Sequence, residues 1–150
     1  MAATSHLPDL RVRVVNVVDL VRLFPADDHP HGMDGLEFND YFTPDRSVIF
    51  AFHGYARAIH ELVHGHSDAD RFHVRGYVEE GTTTTPFDMV VLNQMSRYHL
   101  CKEAVRRARR RPDGAEGFVH YCDEKLADHR LYIDEHFEDM AEIRDWTWTD

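Results

Sequence analysis

The chain predicts an α/β fold, a three-layer domain in which a small, mostly parallel sheet is flanked by helices, and three observations carry that prediction. Short β-branched or alternating runs stand at residues 11–18 (RVRVVNVV), 47–52 (SVIFAF) and 72–77 (FHVRGY). Two long stretches of helical periodicity follow, one from Thr85 and one from about Glu116. Strand runs alternating with helical segments call for crossover connections, and crossovers produce parallel pairing.

Taken in order, MAATSHLPDL reads as the tail of a helix that leads into the first run. The runs 11–18 and 47–52 have the continuous apolar character of strands buried on both faces. Between them, Phe24 to Asp45 is rich in Pro, Gly, His and Asp, with Leu36-Glu37-Phe38 opening a short helical turn. Tyr55, Ala58, Ile59, Leu62 and Val63 then form an i, i+3, i+4, i+7, i+8 stripe, the mark of an amphipathic helix, and Gly65 stands where a C-cap is expected. The alternating run 72–77 is the third strand candidate.

Thr85 as N-cap, Pro86 at the first helical position and Asp88 three residues after the cap make a capping-box start. Phe87, Val91, Met95, Tyr98, Cys101 or Lys102, and Val105 predict one continuous helix from there. Arg106, Arg107, Arg109, Arg110 and Arg111 close it, cations complementing the negative end of the macrodipole before Pro112 and Gly114 stop the chain. A second long helix puts Phe118, Cys122, Leu126, His129, Ile133 and Phe137 on one face. Three short strands make a small platform, so a further strand and helix are expected upstream of the first run.

Composition narrows the functional classes. A chain of 150 residues with 43% hydrophobic content suits one domain with a true core. The formal net charge of −10 argues against a general nucleic-acid or membrane-surface binder, which would face repulsion over most of its area. Cys101 and Cys122 lack C-x-x-C spacing and read as reduced, packed thiols. No apolar run approaches a membrane span and the N-terminus lacks a signal-peptide layout, so a cytoplasmic protein is expected.

His60-Glu61-Leu62-Val63-His64 matches H-E-x-x-H, in which two imidazoles one helical turn apart hold Zn²⁺ and the Glu activates water. That reading gives a zinc hydrolase. The third ligand is poorly supplied: Asp70 holds the expected position, Ser67 stands where a turn-forming Gly belongs, and Glu79 and Glu80 precede a Thr run instead of lying in a helix. The bland reading is a His-rich helix surface.

The segments VRVVNVVDLVRL, HPHGMDGLEFNDYFTPDRSVIFAFHGY, HVRGYVEEGTTTTPFDMVVLN and DMAEIRDWTWTD carry a resemblance to the C-terminal domain of xylulose-5-phosphate/fructose-6-phosphate phosphoketolase. It runs from about Leu7 to the last residue. More distantly, the layout is similar to the C-terminal domain of transketolase. The resemblance implies a thiamine-diphosphate enzyme that cleaves a ketose phosphate with phosphate to acetyl phosphate and an aldose phosphate. The cofactor and its Mg²⁺ are then bound by upstream domains, and residues 1–150 form one C-terminal domain lacking its first strand and helix. No Gly-Asp-Gly with downstream Asn ligands occurs in this chain, so no catalytic, cofactor-binding or metal-binding residue is assigned to it. The implied role is structural: docking on the upstream domains and supporting a homodimer, with sugar phosphate and phosphate as substrates of the whole enzyme and no nucleic-acid or membrane partner. Glu61 and His64 depart from the family pattern, which weakens the zinc reading.

Two groups are the candidates for a ligand or interface role. His53 and Gly54 follow the second strand run, where α/β ligand crevices lie. His73, Arg75, Glu79, Glu80, Thr82, Thr83, Thr84 and Thr85 form the other group. Their structural alternatives are an ion pair between Arg75 and Glu79 or Glu80, turn and cap roles for the threonines, and a half-buried His73. A free-standing module that binds phosphorylated metabolites is the remaining, non-enzymatic reading.

Overall fold

The structure, a computed structural model, describes residues 6–66, 68–78 and 84–147. The chain divides into two compact units, one of residues 12–77 and one of residues 1–11 with 78–150.

The unit of residues 12–77 holds the sheet. Asp19 accepts a hydrogen bond from the Val21 amide (3.0 Å) and starts a 3₁₀ turn, Leu20–Leu23. Asp34 caps helix α1 (Gly35–Phe42), its Oδ1 accepting from the amides of Leu36 and Glu37 at 2.9 Å each. Strand β1 (Val48–Ala51), helix α2 (Ala56–Val63) and strand β2 (Phe72–Arg75) form the predicted crossover. The two strands pair in parallel, Val48 opposite Phe72 and Ala51 opposite Arg75. Leu23, Met33, Phe38, Phe42, Phe50, Ile59, Val63 and Phe72 make the core. Ile59 is fully buried, and withdrawing such a side chain from water is worth about 2 kcal/mol.

The run RVRVVNVV is not a strand. Val15 and Val17 pack against this core, whereas Val14 and Val18 are 66% and 90% exposed, and among the described residues the run joins no ladder. β-branched side chains favour a strand only where a neighbour supplies pairing and a surface to cover, and no described residue pairs with this run. Gly65 is not a helix cap either. Helix α2 ends at Val63 with His64 in right-handed geometry, and a Cβ on Gly65 would come within 2.5 Å of the Pro25 ring, so close packing accounts for the glycine.

In the other unit Thr85 caps helix α3 (Pro86–Leu92) as predicted, accepting from the Asp88 amide at 3.1 Å. The predicted long helix is broken, because α3 gives way to a separate helix α4 (Arg97–Arg107). Gln94 takes a left-handed φ of 55°, and Asn93 turns its side chain onto the Met89 carbonyl (2.8 Å) and the Val78 amide (2.6 Å). These side-chain bonds replace the helical ladder for one turn. Consequently α4 ends at Arg107, and Arg109, Arg110 and Arg111 lie beyond it in the connection. Gly114, with φ 79°, then admits helix α5 (Ala115–His136), and a short helix α6 (Ala141–Arg144) follows. Phe118, Cys122, His129 and Ile133 face inward as predicted, but Phe137 is 83% exposed because the chain turns left-handed there. Leu7, Leu10, Tyr98, Val105, Ala115, Phe118 and Cys122 form this unit's core.

Candidate functional site

The carboxyl end of the parallel pair is built by close backbone approach. Past the strands, the Phe52 amide donates to the Arg75 carbonyl (2.9 Å) and the Tyr77 amide donates to the Gly54 carbonyl (2.8 Å). A Cβ on Gly76 would lie 2.5 Å from that carbonyl oxygen and 2.6 Å from the Ala56 nitrogen, so only glycine lets the two chains close here. His53 is thereby brought to Tyr77: its Nε2 hydrogen-bonds the phenol, with ring centroids 4.6 Å apart. Helix α2 starts directly after this junction, at Ala56.

His53 and Gly54 therefore sit where they were expected, at the end of β1. Tyr77, which pattern reading treated only as a strand residue, is the partner that gives the position its chemistry. His73 and Arg75 lie in β2, half-buried, opposite Ile49 and Ala51. This end offers an exposed imidazole, a phenol and backbone groups, a set suited to polar contacts and not by itself to bond cleavage.

Thr84 and Thr85 belong to the other unit, where they are structural. Thr84 Oγ donates to Asp88 Oδ2 (2.6 Å), and Thr85 Oγ donates to Asp139 Oδ1 (2.6 Å). Asp88 Oδ1 in turn meets His129 Nε2 at 3.2 Å. The Asp88 side chain is thus turned inward instead of completing the capping box. Position three after a cap signalled the acid, but the buried His129 could not be separated from its apolar stripe by periodicity alone. Glu79, Glu80, Thr82 and Thr83 lie outside the described residues.

His60 and His64 are exposed on α2 and its C-cap, away from the buried stripe of Ile59 and Val63. Among the described residues no three His, Cys, Asp or Glu converge to hold a metal ion, and no helix is long and apolar enough to cross a membrane. Cys122 is a packing group, buried, and burial pushes its pKa up to about 11, whereas Cys101 is only partly buried.

Comparison with known proteins agrees with the fold. The XFP C-terminal domain family matches residues 2–148. Among curated relatives, a "Probable phosphoketolase" of Bradyrhizobium diazoefficiens is 53% identical over 142 residues, covering 95% of this chain and 18% of its own length. One of Brucella abortus is 54% identical over 145 residues, 97% of this chain and 18% of its own, and one of Gloeobacter violaceus is 48% identical over 144 residues, 96% and 18%. The chain thus spans less than a fifth of the length of these relatives. With near-complete coverage at about half identity, this chain belongs to the XFP C-terminal domain family, the C-terminal domain of phosphoketolases.

Proposed function

We propose that this chain serves as the C-terminal supporting domain of a thiamine-diphosphate-dependent phosphoketolase, an aldehyde-lyase. The whole enzyme cleaves xylulose 5-phosphate or fructose 6-phosphate with phosphate, giving acetyl phosphate and an aldose phosphate. The observation that carries the reading is the alignment of nearly all of this chain with a fifth or less of relatives named as phosphoketolases.

In such an enzyme thiamine diphosphate would supply the carbon–carbon bond chemistry, and the protein would position it. Its diphosphate requires a divalent cation with oxygen ligands. Among the described residues no three His, Cys, Asp or Glu converge to hold such a cation, and Asp88, Asp34 and Asp139 are engaged by Thr84 and His129, by the start of α1 and by Thr85. No reaction step is assigned to residues of this chain, and in this reading the cofactor and Mg²⁺ are bound by domains outside it. Its role in this reading is to dock on those domains and support a homodimer in the cytoplasm.

The test is acetyl phosphate formation, trapped as the hydroxamate, from xylulose 5-phosphate, phosphate, thiamine diphosphate and Mg²⁺. The full-length enzyme turns over. The 150-residue chain produces nothing and does not bind the cofactor in equilibrium dialysis. Acetyl phosphate from the isolated chain would overturn the reading.

A further inference from the structure

The stretch Arg13-Val14-Val15-Asn16-Val17-Val18-Asp19 reads the same in both directions except at its ends, where the charges are opposite. Among the described residues no hydrogen bond between backbone groups involves any residue from Val12 to Val18, and the run joins no ladder. Its side chains are sorted with the period of two that an extended chain produces. Val15 and Val17 pack against the core, whereas Val14, Asn16 and Val18 are exposed. Asp19 continues extended, with φ −130° and ψ 106°. Arg13 anchors the other end, its Nη1 donating to the carbonyls of Asp40 (2.6 Å) and Tyr41 (3.2 Å) in the last turn of α1.

An unpaired β-branched run is a template for another strand, and this sequence selects which one. Antiparallel pairing with the same stretch of a second copy, with the two-fold axis at Asn16, sets Arg13 against Asp19, Val14 against Val18 and Val15 against Val17. Every pair then joins residues of one face, so exposed side chains meet exposed ones and packed ones meet packed ones. At the axis the two Asn16 amides meet, each with a donor and an acceptor for the other. Parallel pairing in register would instead put Arg13 on Arg13 and Asp19 on Asp19, and like charges directly opposite are destabilising. A chain of net charge −10 repels its own copies over most of its surface, but Arg13 and Asp19 cancel within this stretch, which is locally neutral.

We propose that residues 13–19 are a self-complementary docking strand that joins two copies of this chain edge to edge. The inference rests on the homodimer part of the reading above and gives that dimer a surface. Dimerisation through other domains and acetyl phosphate formation by the full-length enzyme are separate readouts, so failure here leaves the rest of that reading standing.

The experiment is sedimentation equilibrium of the 150-residue chain at physiological salt over a concentration series. The mass rises from 17.5 kDa toward twice that value. The Asn16→Asp/Val18→Asp double variant sets carboxylates across the axis, and the dissociation constant rises at least tenfold. Both side chains are exposed, so the variant retains the parent's circular dichroism spectrum. Leu131→Asp, at an exposed leucine of α5, leaves dimerisation unchanged. Cross-linking in a Cys101→Ser background reads the register: in a glutathione buffer Asn16→Cys links to its own copy across the axis, whereas Val14→Cys, opposite position 18, does not. A monomer at every concentration would overturn the proposal and leave the run to a strand from elsewhere in a longer chain. A dimer indifferent to the double variant would put the interface on another surface, and equal cross-linking of Asn16→Cys and Val14→Cys would mean parallel pairing. Either result overturns the proposal as well.

Discussion

Nε2 of His129 lies 3.2 Å from Oδ1 of Asp88, and neither side chain is more than 3% exposed. The pair ties α5 to the first turn of α3, and Thr84 bonds the other carboxylate oxygen. His129 Nδ1 is buried without a partner among the described residues, so among them Asp88 is the one hydrogen-bonding group that compensates the burial of this ring. Removing one member of such a pair costs more than the pair contributes, because the other is left desolvated. Asp88→Ala is expected to lower unfolding stability by about 3 kcal/mol in urea denaturation. Asp88→Asn retains an oxygen for His129 and presents an amide to the Thr84 hydroxyl, with a loss of about 1 kcal/mol. Equal losses in the two variants would show that side-chain size, not the polar pair, matters.

A second buried imidazole makes stability depend on pH. His66 stacks on the Phe38 ring with centroids 3.6 Å apart, and its Nε2 donates to the Leu23 carbonyl at 2.9 Å. Burial holds its pKa below the ordinary 6.5. The unfolded chain therefore binds the proton more readily, and stability falls as pH drops from about 6.5 toward the lowered folded value, with full stability above that window. Urea midpoints between pH 7.5 and 5 should show this slope, and His66→Gln should flatten it. An unchanged slope in the variant would assign the effect to other histidines.

What was legible in the sequence follows the reach of each physical signal. Local signals sufficed for the Thr85 cap, for the start of α5 near Glu116, and for the two strands that pair, because caps and periodicity act over one or two turns. They failed at RVRVVNVV, since strand formation is decided by a neighbour that composition does not name. They also failed at Asn93-Gln94, where an unbroken apolar stripe concealed a side chain bonded to residue 78, fifteen positions away. At the candidate site, position alone pointed to His53 and Gly54, but Tyr77 and Gly76 come to them only through strand pairing. Asp88 with His129 is a long-range match of the same kind, 41 residues apart.

Two glycines give opposite expectations under the same substitution. At Gly76 an added methyl meets backbone atoms at 2.5 and 2.6 Å, which cannot yield as a flexible side chain would. Gly76→Ala is expected to destabilise the fold by about 2 kcal/mol through overpacking, and to separate the His53 and Tyr77 rings. At Gly117, in the first turn of α5, nothing lies within 4 Å of the added atom. Gly117→Ala is expected to stabilise by about 0.5 kcal/mol through helix propensity. Thermal melts of the two variants, read by circular dichroism, should shift in opposite directions. A downward shift for Gly117→Ala would mean that the open space is required by something the fold alone does not explain.

The two thiols should separate by reactivity. Cys122 is 1% exposed in the α4–α5 core, and its pKa of about 11 leaves about one molecule in a thousand as thiolate at pH 8. Cys101 is only partly buried at the edge of the same core. At pH 8 a disulfide reagent such as dithionitrobenzoate should label one thiol per native chain, and Cys101→Ser should abolish that reaction while Cys122→Ser leaves it intact. In guanidinium chloride both thiols should react. Labelling of Cys122 at the rate of Cys101 in the native chain would show that the α4–α5 interface opens on the timescale of the assay, and the burial that raises its pKa would then not describe the working state of the domain.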